Sequence, residues 1–180
     1  MSTRSIIGYN ESARKWKGVY HHWDGYPSAL GVTLLELAKE KGTDFIRKEI
    51  VEAHPAGWST INRDWSQKPL PLDRDSNCSK EEKKPPEYYK PENEDWRSEF
   101  FTEKDEPGTA GSEYLYLITK KDTIAVYTCK YVTGKHKGQR MIGMFGMGAP
   151  DIGRGKEVKW VKIGEFKISD DVQKMADLEK

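Results

Sequence analysis

Two short runs near the start of the chain mix β-branched and aromatic residues with polar ones. Arg4-Ser-Ile-Ile-Gly-Tyr9 and Lys17-Gly-Val-Tyr-His-His-Trp23 flank the stretch Asn10 to Trp16, a pattern that predicts an antiparallel pair. Alternation places Val19, His21 and Trp23 on one face and Tyr20, His22 and Asp24 on the other. Asp24-Gly-Tyr-Pro27 then turns the chain, and Ser28 is positioned to cap the helix that follows. Leu30, Leu34, Leu37 and Ala38 recur at helical spacing up to Gly42. Thr43 is the expected cap of a second helix carrying Phe45, Ile46, Ile50 and Val51, which Pro55 stops.

The pattern changes over residues 55–112. Seven of the nine prolines fall there, with the charge run SKEEKK at 79–84. Such composition suggests disorder, but Trp58, Trp65, Tyr88, Tyr89, Trp96, Phe100 and Phe101 sit within it. Large rings repay burial, so the reading is an ordered arm or lid packed on the sheet, with a mobile tip near 76–86. Strand patterns return in EYLYLIT at 113–119 and TIAVYTCKYV at 123–132, joined by a short turn. MIGMF at 141–145 and VKWVKIGEFKI at 158–168 predict two more, and the tail from Ser169 predicts a short helix. The fold class expected is α+β: a mainly antiparallel sheet with two helices after the first hairpin and a long aromatic-rich arm. One domain of 180 residues divides into 1–54, 55–112, 113–168 and a tail 169–180.

Composition narrows the functional classes. Apolar residues make up 36% of the chain, below the roughly 45–50% usual for globular proteins, so the core leans on its 20 aromatic residues. The longest uncharged run, MIGMFGMGAP at 141–150, is far shorter than a membrane span, so no membrane partner is expected. No basic-then-apolar leader is visible, and Cys78 and Cys129 have no C-x-x-C partner; both suit a cytoplasmic protein with reduced thiols. The net charge of +1 hides a division. Residues 55–112 hold 9 Lys/Arg against 13 Asp/Glu, whereas residues 120–167 hold 11 against 4. The anion-seeking end is the last third, and the acidic arm disfavours an extended nucleic acid.

Four places carry chemistry. At YHHWDGYP, His22 and Asp24 share a strand face, which suits a metal or an acid–base pair in which Asp24 orients His21 or His22. The structural reading of the same residues puts Tyr20 and Trp23 in the core, uses Asp24 to bond the turn and Tyr26-Pro27 to start the helix. No second His/Asp pair supports a metal, and no cofactor is implied. The second place is the glycine-rich basic segment, where Lys130, Lys135, Lys137 and Arg140 precede GMFGMGAPDIGRGK at 143–156. Its Arg154 and Lys156 could close on phosphate, though it matches no nucleotide fingerprint. The third is the set of arm aromatics, which with nearby cations could enclose one small aromatic, phosphate-bearing ligand. The fourth is Ser2, a nucleophile only if exposed at the N-terminus.

The residues Ser2-Thr3-Arg4-Ser5-Ile6, followed by Tyr20-His21-His22-Trp23-Asp24-Gly25-Tyr26-Pro27 and Gly31, resemble a family associated with phages and bacterial mobile elements. Its pattern is S-T-R-S-x-I and then Y-x-H-W-D-G-Y-P-x-x-x-G. The resemblance covers about the first forty residues and transfers no catalytic roles. It implies a setting, since small proteins of this origin often interfere with host defence. Together these readings predict a non-enzymatic protein that sequesters a small nucleotide-like signal. Arg4, His22, Trp23, Asp24 and Tyr26 would form the turn side of the site, and Arg140, Arg154 and Lys156 would hold the anion. Trp23 or Tyr26 would stack on the base, and Asp24 would orient sugar or base donors. Binding could span two protomers through exposed strand edges. The alternatives are a protein that blocks a host factor through the acidic arm, and a small hydrolase using His22 and Asp24.

Overall fold

A computed structural model describes residues 3–72, 84–90, 100–134, 136–140 and 157–179. Strands β1 (Arg4–Asn10) and β2 (Trp16–His21) form the expected antiparallel hairpin, with Ser5 opposite His21 and Asn10 opposite Trp16. A π-helical stretch Pro27–Gly31 runs directly into α1 (Val32–Lys41), and α2 (Thr43–Phe45) continues as a π-helical segment Ile46–Glu52. Then come β3 (Trp58–Thr60), β4 (Leu70–Leu72), β5 (Glu87–Tyr89), β6 (Phe101–Thr102), β7 (Ser112–Ile118), β8 (Thr123–Tyr131) and β9 (Val158–Lys167). A short α3 (Val172–Ala176) follows. The strand expected at 141–145, Ser2 and most of the segment 76–86, expected as a mobile tip, lie outside the described residues.

The chain is α+β, as its patterning predicts, but its sheet is mixed. The order is β4-β5-β3-β2-β1-β7-β8-β9, with β6 also pairing β2. The β1–β7, β2–β3 and β4–β5 pairs are parallel and the rest antiparallel. Parallel neighbours arise because the helices and the arm intervene before the chain returns to the sheet. The Pro-rich arm is itself part of the sheet: β3, β4, β5 and β6 all come from it.

Both faces of the sheet are covered. Ile7, Val19, Trp58, Tyr114, Tyr116 and Val126 meet Leu30, Leu34, Leu35, Ile46 and Ile50 of the helices in the main core. Ile6, Tyr20, Leu115 and Leu117 form a second cluster with Trp16 and Phe101 on the other face. Central strands such as β1 therefore read as continuous apolar runs rather than clean alternation.

Both expected caps are corrected, because each hydroxyl serves a distant partner. Ser28 donates its N–H and its Oγ–H to the Glu179 carboxylate, at 3.1 and 2.9 Å. Thr43 Oγ1 donates to Asp122 at 2.7 Å, tying the second helix to the β7–β8 turn. The tail is further fixed by Met175, which is fully buried. A Cβ on Gly31 would come within 2.9 Å of Met175 Cγ, so this glycine makes room for the tail. Among the described residues no helix is long and apolar enough to cross a membrane.

Candidate functional site

The YHHWDGYP corner is held to the start of β1 by a joint with no spare space. Gly25 donates its N–H to the Thr3 carbonyl at 2.8 Å, and its own carbonyl accepts the Tyr116 hydroxyl at 2.9 Å. A Cβ at Gly25 would lie 2.6 Å from Ser5 Oγ and 2.8 Å from the Thr3 oxygen. Asp24 adopts φ 53°, a left-handed conformation that Asp tolerates better than most side chains.

His21 completes the joint. It is fully buried, its Nε2 accepts the Ile61 N–H at 3.3 Å, and its Nδ1 lies 3.3 Å from Ser5 Oγ. An accepting Nε2 in a neutral ring leaves the proton on Nδ1, so Nδ1 donates to the serine and cannot act as its base. Burial first, and His22 second, push its pKa down to about 3. The neutral ring is therefore a strut between β1, β2 and the segment after β3. Its two nitrogens face Ser5 and Ile61, whereas the acid–base option has Asp24 orienting this ring.

His22, Trp23 and Asp24 project from this joint. His22 donates its N–H to the Trp58 carbonyl at 3.0 Å, and Trp23 donates to the Ser59 carbonyl at 3.1 Å. Two phenols converge on His22 Nδ1, Tyr89 at 3.1 Å and Tyr20 at 3.4 Å. The His22 ring packs on Trp23 with centroids 4.6 Å apart and planes 32° apart. Trp23 is 36% exposed, which overturns its expected place in the core; Tyr20 is in the core as expected. β2 ends at His21, so Trp23 no longer follows the strand's alternation. The Asp24 carboxylate is exposed, and it is the backbone of Asp24, accepting from Asn62 Nδ2 at 3.3 Å, that bonds the turn.

Beside this surface are polar atoms without partners. His21 is registered with Trp58 in the parallel β2–β3 pair, so His22 neighbours Ser59. Ser59 is fully buried, and among the described residues its Oγ has no hydrogen-bond partner, nor do the buried Asn62 Oδ1 and Glu87 Oε2. Glu87 lies two residues before Tyr89 and so faces the same side of β5. Buried polar atoms in folded proteins nearly always find a partner, whether protein or ordered water.

Tyr26 and Arg140 belong to a different corner, around Glu179. The Tyr26 phenol is raised above its usual range by burial first, then by Asp24 and Glu179. Burial also raises Tyr114 and Tyr116, and Glu179 adds to both. The Arg140 guanidinium lies 5.3 Å over the Tyr114 ring and donates to the Tyr114 hydroxyl. Its Nε is 3.9 Å from the buried Glu113 carboxylate. Arg140 thus already has a carboxylate and a phenol to satisfy. Arg4 pairs with Ser112 at the β1–β7 bulge. Arg154 and Lys156 lie outside the described residues.

The structure thus gathers His22, Trp23 and Asp24 on one turn, sets Arg140 on Glu113 and Tyr114, and leaves Tyr26 within the influence of both Asp24 and Glu179. Of the neighbours added by the fold, Tyr89 stood out in the sequence only as one arm aromatic among several. Ser59, Asn62 and Glu87 carried no local signal, since they become neighbours only when β3 and β5 join β2. Among the described residues no three His, Cys, Asp or Glu side chains group as metal ligands. No protein-family model, no curated protein and no solved structure matches this chain.

Proposed function

We propose that this protein is a non-enzymatic binding protein that captures a small nucleotide-like molecule on the His22–Trp23 surface. The observation that carries the reading is Trp23, a large ring left 36% exposed on a turn whose backbone is held on every side. An exposed ring on a rigid mount offers a base a stacking face at little cost in ordering. The exposed Asp24 carboxylate supplies an acceptor for base or sugar donors beside it. Phosphate contacts are assigned to the basic last third, through Arg154 and Lys156, because Arg140 is engaged by Glu113 and Tyr114. In the phage-related setting that the N-terminal motifs suggest, capture would withdraw a defence signal in the cytoplasm of an infected bacterium.

The test is to purify the protein from cells making candidate nucleotide signals, denature it, and identify released molecules by mass spectrometry. An intact nucleotide in stoichiometric amount is the expected result. A hydrolysed fragment, or nothing bound together with no thermal shift across a nucleotide panel, overturns the reading. Trp23→Ala should cost about 1–2 kcal/mol of stability, because the ring is only 36% exposed and packs on His22. Loss of one stacked base should nevertheless weaken the complex by roughly 10- to 100-fold, measured by titration calorimetry with the recovered nucleotide.

A further inference from the structure

Neighbouring residues of a strand face opposite ways, and in β5 the two tyrosines serve different places. Tyr89 reaches His22, whereas Tyr88 lines an open groove of about 460 Å³. Its other walls are Phe45 and His54 from the second helix and its end, Trp65 from the loop after β3, and Lys41 and Lys68. A volume of this size falls within the roughly 300–1,000 Å³ usual for small-molecule sites.

The walls are aromatic and held in place. The His54 ring lies on Tyr88 with centroids 4.0 Å apart and against Trp58 at 4.6 Å. Trp65 meets Phe45 edge-on at 5.4 Å and Trp58 at 5.7 Å. The indole of Trp65 donates to the Ile61 carbonyl, and that of Trp58 to the Ile50 carbonyl. With its N–H engaged, Trp65 offers the groove its π face and edges, and Trp58 backs it from the core. The His54 ring has no hydrogen bond among the described residues, and burial lowers its pKa, so a neutral donor–acceptor edge is left for a guest.

Charge decides what kind of guest. Lys41 Nζ lies 5.7 Å from the Phe45 centroid. Lys68 adds a second ammonium, and Glu49 is the one carboxylate among the lining residues. Lys41 is paired with Glu40 at 2.8 Å, so the exposed Lys68 is the ammonium that would draw an anionic guest and repel a cationic one. We propose that this groove is a second binding site, separate from the Trp23 surface, for a planar aromatic molecule that carries a negative charge. The ring of the guest lies against Tyr88, His54 and Trp65, and its anionic group meets Lys68. The two sites share no residue.

The test titrates the full-length protein with 8-anilinonaphthalene-1-sulfonate, a fluorescent aromatic anion, and then adds competitors. Saturable binding is expected, weakened about tenfold by Trp65→Ala, in line with loss of one stacking partner. Lys68→Glu, on an exposed side chain and therefore safe for folding, should weaken it several-fold. Trp23→Ala should leave it unchanged. Displacement by adenosine 5′-monophosphate or by 4-hydroxybenzoate identifies which kind of aromatic anion fits. No saturable binding, displacement by neither competitor, or indifference to both Lys68→Glu and Trp65→Ala overturns the proposal. Dye binding lost in Trp23→Ala but kept in Lys68→Glu also overturns it, while leaving the Trp23 reading intact.

Discussion

Gly25→Ala is expected to destabilise the fold by about 3 kcal/mol, the upper part of the range for forcing atoms into a filled site. The new Cβ would sit 2.6 Å from Ser5 Oγ, 2.8 Å from Ser5 Cβ and 2.8 Å from the Thr3 oxygen. None of these is the end of a flexible side chain. Ser5 is fully buried against His21, and the Thr3 oxygen already accepts the Gly25 N–H. Relief therefore means moving the turn off β1, which also strains the bond from Tyr116 to the Gly25 carbonyl. Chemical denaturation would read the loss directly, and a melting temperature should fall by roughly 6–12 °C for a chain of this size. Two of the three closest atoms belong to Ser5, so adding Ser5→Gly to Gly25→Ala should recover part of the loss. A Gly25→Ala protein as stable as the parent would refute the joint, and no recovery in the double variant would refute the role of Ser5.

Acidification should cost the fold about 2 kcal/mol between pH 7.5 and pH 5, chiefly through His21. Its folded pKa is lowered to about 3, against an ordinary value near 6.5. The unfolded chain takes up a proton that the buried ring refuses. The contribution is fully present above about pH 6.5 and is lost as pH falls toward 3, at about 1.4 kcal/mol per unit. His54 acts in the same direction, since burial lowers its pKa too. Carboxylates with lowered values, such as Asp122 beside Thr43 and Arg47, add their losses only near and below their usual range. The window from pH 6.5 to 5 therefore isolates the histidines. Urea denaturation of the parent and of His21→Asn across that window gives the comparison. The variant should be less stable at neutral pH, because the Ile61 N–H loses its partner, and should show a much shallower slope. An equal slope in both would place the proton uptake elsewhere.

These two results would also separate what the N-terminal motifs do for the fold from what they offer a ligand. Thr3, Ser5, His21 and Gly25 are consumed in one joint, and Gly31 makes room for Met175. His22, Trp23 and Asp24 are the part of the pattern that the joint presents outward. A large loss of stability at Gly25 and a smaller one at Trp23 would then be two readings of the same corner.

Local chemistry carried much of the fold. Runs of β-branched and aromatic residues marked β1, β2, β7, β8 and β9, the Leu30–Leu34–Leu37 spacing marked α1, and Asp24-Gly-Tyr-Pro27 marked the turn. Each depends on residues within a few positions of one another, which is why a single sequence reveals it. The α+β class followed from their order. What the chain could not reveal alone was partnership at a distance. The Ser28 and Thr43 hydroxyls looked like caps, but Glu179 and Asp122 approach them from 151 and 79 residues away. His21 and His22 are adjacent and chemically identical. Tertiary packing buries the first against Ser5 and Ile61 and turns the second toward Tyr20 and Tyr89. The arm's aromatics signalled burial, but only the pairing of β3 and β5 with β2 decided that Tyr89 would serve one face and Tyr88 the other. Periodicity is a local property that the backbone enforces. Which surface a side chain finally meets is set by long-range closure of the sheet, and that exists only once the whole chain has folded.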